Sequence, residues 1–294
     1  MSQCPITYAS CSPEKYSQQG LKKLNRGLSL LLPFDASKIM HSSDSGISNA
    51  VWPFASALGR VNARRQSMEP VRYKGKFFLF PPSKQYAQIP QNLDLSLRLA
   101  QCLGLPVPFH GLIHDEDGTM TCFVELPATV QCLHPISARH EQENSLEFLV
   151  ARIEESCTFP VLEKYKLFQR VLFSWLTGFE TQDISCFAFQ KVAHKIELAQ
   201  ASLFFNSILP LGTSEREFGL SVGGKKRGFS ASDFRETIAR DLLGLNAETV
   251  EFLISGFQKN YLPCRELVME SFLSEDLKEQ YLDVIVGRLS RLNA

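Results

Sequence analysis

The stretch FETQDIS, Phe179 to Ser185, places two carboxylates, Glu180 and Asp183, in a short polar loop. A polar loop fed by a buried helix and followed by a hairpin is a good place to hold chemistry. A second candidate is His41–Asn49, HSSDSGISN, whose small residues would let backbone N–H groups approach a phosphate. The same composition also makes an ordinary surface turn, which is the simpler reading. A third is the basic turn GGKKR from Gly223, where three cations could hold a phosphate or form a solvated hairpin tip. The tip is again the simpler reading. Cys4 with Cys11, and Cys122 and Cys132 with His134, could be drawn as metal ligands, but neither spacing matches a zinc pattern and no CxxC pair occurs.

Strong elements flank the FETQDIS loop. The segment from Lys164 carries Leu167, Phe168, Val171, Leu172, Phe173, Trp175 and Leu176, apolar almost all round. This predicts a helix buried in a large core and stopped by Gly178. Beyond the loop, Phe187–Phe189 and Lys195–Leu198 predict a β-hairpin turning at Lys191–His194. Rigid elements on both sides would fix the loop between them.

Upstream, Tyr16–Leu32 is loosely amphipathic and expected to be partly helical. Arg72–Phe80 reads as a strand entering from a Gly75 turn and ended by Pro81 and Pro82. Asn92 is expected to cap a helix DLSLRLAQCLGL, with Leu95, Leu99, Cys102 and Leu103 on one face and Gly104 as its stop. Val107–His114 and Thr119–Leu126 predict a hairpin around Asp115–Gly118. Pro127–Ser145 is polar and aperiodic and reads as a connection, with Asn144 or Ser145 capping a helix through about Cys157. Downstream, Ser230 or Ser232 caps DFRETIARDLLGL, Asn246 starts AETVEFLISGF and Ser274 caps EDLKEQYLDVIVGRLSRL. In the last of these, Leu277, Tyr281, Val284, Ile285, Leu289 and Leu292 form one apolar stripe, read as core packing.

The 294 residues leave room for two lobes: a β-rich one over 1–126 with one main helix, and a mostly helical one over 127–294 with a hairpin near 187–198. The class is α+β. Basic and acidic residues number 31 each, which argues against a general nucleic-acid or anionic-membrane binder. No signal peptide is evident in MSQCPITYAS and no apolar run reaches about 18 residues, so no membrane span is expected. The scattered cysteines read as reduced core thiols, which points to the cytosol.

Taken in order, these segments resemble the HipA family of serine/threonine kinases, and more closely its short HipT form, which lacks the N-terminal extra subdomain. The resemblance covers nearly the whole chain. Its most specific piece is ESFLSEDLKEQYLDVIVGRLSRL, Glu270–Leu292; others are CPITY at Cys4, YSQQGLKKL at Tyr16, IPQNLDLSLRLAQCLGLPVP at Ile89 and GGKKRGFSASDF at Gly223. It implies a two-lobed protein-kinase-like fold, ATP with Mg²⁺, and the toxin role in bacterial toxin–antitoxin modules.

Carried over position by position, the resemblance breaks at the chemistry. The phosphate-holding lysine of the family falls on Phe80, and its acidic helix partner on Leu93, beside Asp94. In the catalytic loop, the Asp position holds Thr181 and the metal-binding Asn position holds Cys186. The downstream metal-binding Asp falls on Leu203, while the Asn206-Ser207 that follows keeps the family pattern. A phenyl ring has no charge for phosphate, and thiol or alkyl groups cannot replace hard oxygen ligands for Mg²⁺. The glycine-rich loop survives in part as Ser43-Asp44-Ser45-Gly46; Ser43 and Ser45 match the family's phosphoacceptor serines, or are a relic.

The resulting expectation is a pseudokinase in the bacterial cytoplasm, or a secreted effector, that uses no ATP or Mg²⁺ and acts by binding a protein. That partner would be a HipB-like or HipS-like antitoxin or a target protein, with no direct nucleic-acid or membrane contact. The alternative is an active serine/threonine kinase toxin that uses ATP and Mg²⁺ with relocated residues, Asp183 or Glu180 as the base and Glu197 or Asp183 as a metal ligand.

Overall fold

The computed structural model describes residues 3–11, 14–24, 71–73, 77–83, 86–125, 133–136, 140, 143–201, 203–212 and 215–293. After a short helix α1 (Gln18–Leu24), the first lobe is built on four antiparallel strands. These are β1 (Val71–Tyr73), β2 (Phe77–Phe80), β3 (His110–His114) and β4 (Met120–Glu125), in the order β1-β2-β4-β3. The expected single strand Arg72–Phe80 is therefore two, paired with each other. Period-two alternation gives this sheet two apolar faces. Phe78, Phe80, Leu112, Cys122 and Val124 join the main core, while Phe77, Leu79, Ile113 and Phe123 pack on Cys4, Ile6, Tyr16 and Leu24.

Helix α2 (Ile89–Cys102) lies against β3 and β4 and, on its far side, against a helix of the second lobe. That double contact buries Leu93, Leu95, Leu97, Leu99 and Ala100, well beyond the single face expected. The helix starts three residues before the expected cap. Pro90 occupies its first turn, where a fixed φ and a missing N–H cost nothing. Asn92 is thus inside the helix, buried, and free to bind elsewhere.

The second lobe holds a three-stranded antiparallel sheet of β5 (Leu133–Pro135), β6 (Ala188–Val192) and β7 (Lys195–Leu198). Nothing in the polar Pro127–Ser145 connection announced β5. The β6–β7 turn is tighter than expected, since Val192 pairs with Lys195 and Ala193 takes φ 54. Around the sheet stand α3 (Leu146–Ser156), capped by Ser145, and α4 (Pro160–Leu176). Then come α5 (Asp233–Leu242), wound with π-type hydrogen bonds, α6 (Ala247–Lys259), α7 (Tyr261–Glu270) and α8 (Glu275–Asn293). Ser230, not Ser232, caps α5 through the Asp233 N–H, and Asn246 caps α6 through that of Thr249. One continuous apolar core runs from Phe78 and Leu93 through Trp175 to Phe234 and Tyr281, and so joins the lobes.

Candidate functional site

The loop after α4 is bound from several directions. Gly178 takes φ +78, and a Cβ there would sit 3.0 Å from Asn206 Oδ1. The Ser207 N–H and hydroxyl both donate to the Gly178 carbonyl at 3.0 Å, and Ser207 Oγ accepts from the Glu180 N–H at 3.0 Å. Asn206 Oδ1 caps the turn Ile208–Leu211, and its backbone is gripped by Asn92, whose Oδ1 accepts at 3.0 Å and whose Nδ2 donates at 2.8 Å. The surviving Asn206-Ser207 pair thereby ties the loop to the first lobe's main helix. On the other side Asn144 Oδ1 accepts from the Ile184 N–H, and Gly219 lies so close that a Cβ would meet the Gln182 carbonyl at 2.0 Å.

Both loop carboxylates are committed inward. Glu180 is buried and pairs with Arg288 of α8 at 2.7 Å. Arg288 also donates to the Trp175 carbonyl, and its guanidinium lies 5.6 Å from the Trp175 ring. Burial pushes the Arg288 pKa down, against the pull of Glu180. Asp183 is buried as well, and its Oδ1 accepts from the Ser185 N–H at 2.9 Å and from the Ser185 hydroxyl, capping the turn Ile184–Cys186. Thr181 between them is half-buried. Glu197 sits on β7, taking Gln190 Nε2 at 2.7 Å and facing Lys166 at 3.8 Å. Among the described residues no three His, Cys, Asp or Glu side chains converge on one point.

The positions assigned to phosphate and metal chemistry lie in apolar surroundings. Phe80, Leu93, Cys186 and Leu203 are 4%, 0%, 5% and 1% exposed and all belong to the main core. Phe80 faces Cys122 across the β2–β4 ladder, edge-on to the Phe78 ring at 6.4 Å. Asp94, beside Leu93, is turned to a different cluster: it accepts from Arg98 Nε and the Tyr8 hydroxyl, each at 2.8 Å, with His110 at 3.9 Å. These positions offer no cation to a phosphate and no hard oxygen to Mg²⁺, so they do not fit MgATP.

One cation near the loop escaped the sequence reading. Arg170, in the middle of α4, is buried; it donates to the Cys186 carbonyl and lies 4.1 Å over the Phe187 ring. Burial lowers its pKa to about 10. The available signal was an Arg set among Phe168, Val171, Leu172 and Phe173, in a helix whose other charges, Glu163, Lys164 and Lys166, stand in its first half. In the GGKKR turn, Lys225 pairs with Asp233 at 2.7 Å and the two glycines are exposed, the geometry of a hairpin tip. Cys4, Cys11 and Cys122 are thiols that form no disulfide. Ser43, Ser45, Gly46 and Cys132 lie outside the described residues.

A sheet lobe with one main helix, a helical lobe, and a loop between a buried helix and a hairpin define a two-lobed protein-kinase-like fold. Among the solved structures that share it are a toxin–antitoxin protein and a kinase. One is HipA of Shewanella oneidensis MR-1, from a complex of the toxin–antitoxin system HipA, HipB and its operator DNA. It aligns at a TM-score of 0.58 and 16% identity over 73% of this chain and 58% of that chain. The other is the proinflammatory kinase CtkA of Helicobacter pylori, at a TM-score of 0.54 and 11% identity over 76% of this chain and 88% of that one. The chain thus spans 58% of the length of the HipA chain. No protein-family model and no curated protein matches the chain. Among the described residues no helix is long and apolar enough to cross a membrane.

Proposed function

We propose that this chain is a HipT-like pseudokinase: a kinase fold related to toxin–antitoxin proteins that has given up phosphoryl transfer and works by binding another protein. The observation that carries the reading is the burial of Phe80, Leu93, Cys186 and Leu203 in one apolar core, where a kinase of this family would hold phosphate and metal. The internal pairing of Glu180 with Arg288 and of Asp183 with Ser185 supports it, because each would have to be broken before either carboxylate could act as a base. The partner is a HipB-like or HipS-like antitoxin in the bacterial cytoplasm, or a target protein met by a secreted effector.

The test is a thermal-shift titration with MgATP beside a phosphotransfer assay. A nucleotide present at 100 times its Kd would stabilise the fold by about 2.7 kcal/mol. The expected result is no shift and no transfer of labelled phosphate. A dose-dependent rise in Tm, with transfer abolished by Asp183→Asn or Glu180→Gln, would establish the active-kinase reading instead.

A further inference from the structure

Helix α2 ends at Cys102, and its far side packs against α7 of the second lobe. Cys264 stands in the first turn of α7 and is 4% exposed. Its thiol shares a hydrogen bond with that of Cys102. Cys102 is half-buried and packs on the main core, to which Cys264 belongs. One thiol from each lobe thus meets the other across the lobe boundary, and the meeting is made by tertiary structure alone. α2 also carries Asn92, which holds the Asn206 backbone, so this boundary positions the candidate loop.

The pair has an approach. A partly open cavity of about 20 Å³ lies beside it, with Leu103, Thr177, Tyr261, Cys264 and Leu289 among its walls. That is room for about one water-sized molecule. Hydrogen peroxide is near that size, whereas glutathione disulfide is far larger. The two sulfurs also differ. Burial, and then the neighbouring Cys102, hold the Cys264 pKa well above the usual thiol range, so Cys264 stays protonated. Cys102 has the solvent contact, so it meets an oxidant first.

We propose that Cys102 and Cys264 form a redox modification site, at which hydrogen peroxide makes a disulfide that fastens the two lobes together. The Cys102 sulfur attacks one peroxide oxygen, the O–O bond breaks, and the departing hydroxide takes the Cys102 proton and leaves as water. The Cys264 sulfur then attacks the sulfenic sulfur of Cys102. The S–O bond breaks, and this hydroxide leaves as a second water with the Cys264 proton. The two thiols give up two electrons, and the peroxide is reduced to two waters. The site stands whether or not the chain transfers phosphate.

The test treats the reduced full chain with hydrogen peroxide, blocks remaining thiols with N-ethylmaleimide and maps the peptides without reductant by tandem mass spectrometry. The expected product joins Cys102 to Cys264, is two hydrogens lighter than the reduced pair and is reversed by dithiothreitol. The oxidised protein should melt about 5–10 °C higher, because the link closes a long loop in the unfolded chain. Cys102→Ser should give neither the link nor the shift, with circular dichroism melts of the reduced proteins establishing that it folds. The mapping uses the wild type and so decides without the variant. No link, a link to Cys122 or Cys132, a link between two chains, or Cys102 carried to the sulfinic acid beside an unoxidised Cys264 would overturn the proposal. A link that leaves Tm unchanged would overturn its role in fastening the lobes.

Discussion

Replacing Glu180 by alanine would leave Arg288 charged in the interior without its counter-ion. The two side chains are 5% and 8% exposed and meet at 2.7 Å. Removing one partner of a buried pair costs about 3–5 kcal/mol, because the remaining charge has lost both water and its carboxylate. Arg288 keeps its bond to the Trp175 carbonyl, which places the expected loss at the lower end, about 3 kcal/mol. In a domain of this size that lowers Tm by about 6–10 °C. Glu180→Gln keeps an oxygen acceptor in place and gives up only the charge, so its loss should be about half as large. Urea denaturation followed by tryptophan fluorescence and circular dichroism measures both, with Trp175 reporting beside the pair. Adding Arg288→Met to the alanine variant should recover part of the loss, because it removes the stranded charge. The sign separates the two functional readings. A carboxylate held ready as a catalytic base usually costs stability, and its removal stabilises. A Glu180→Ala protein as stable as wild type, or more so, would refute the structural assignment of this pair.

Further outcomes follow from the same geometry. Phe80→Lys puts back the family's cation but into the apolar core, so it should destabilise by about 3 kcal/mol or more without conferring an MgATP-dependent rise in Tm. Gly219→Ala should unfold the protein or cost about 2–3 kcal/mol by urea denaturation, since its Cβ would meet the Gln182 carbonyl at 2.0 Å. Gly256→Ala, in α6 with nothing within 4 Å, should gain about 0.5–1 kcal/mol in the same assay. Burial raises the Glu217 carboxyl pKa, but Arg291 outweighs this through two bonds at 2.9 and 3.0 Å, helped by the Phe229 N–H, and holds the pKa at about 2. Its folded value lies below its unfolded one of 4.5, so its stabilisation is complete above pH 4.5 and lost as pH falls toward 2. Denaturation midpoints across that window should therefore fall less steeply for Glu217→Gln than for wild type.

Local signals were legible without coordinates. The all-apolar face of α4, the Gly178 stop, the caps at Ser145, Ser230 and Asn246, and the hairpins at Asp115–Gly118 and after Phe187 all depend on residues within a few positions of one another. The start of α2 was legible too and was misread: Pro90 marks the first turn, and Asn92 attracted the cap because Asn so often caps. What Asn92 does instead depends on Asn206, 114 positions away. The strand β5 has three residues and no period of its own; it exists because β6 offers an edge to pair with.

The candidate loop divides in the same way. By itself the sequence determined which chemical groups are present: two carboxylates in FETQDIS, and a phenyl ring, a thiol and an alkyl chain at the other assigned positions, because side-chain chemistry belongs to residue type alone. Whether those carboxylates could face a substrate was decided only by tertiary structure. Glu180 finds Arg288 across 108 positions, in an interior where an unpaired charge would be far costlier than in water; the bond of Asp183 to the Ser185 N–H is local, and what tertiary packing adds there is the burial of the carboxylate.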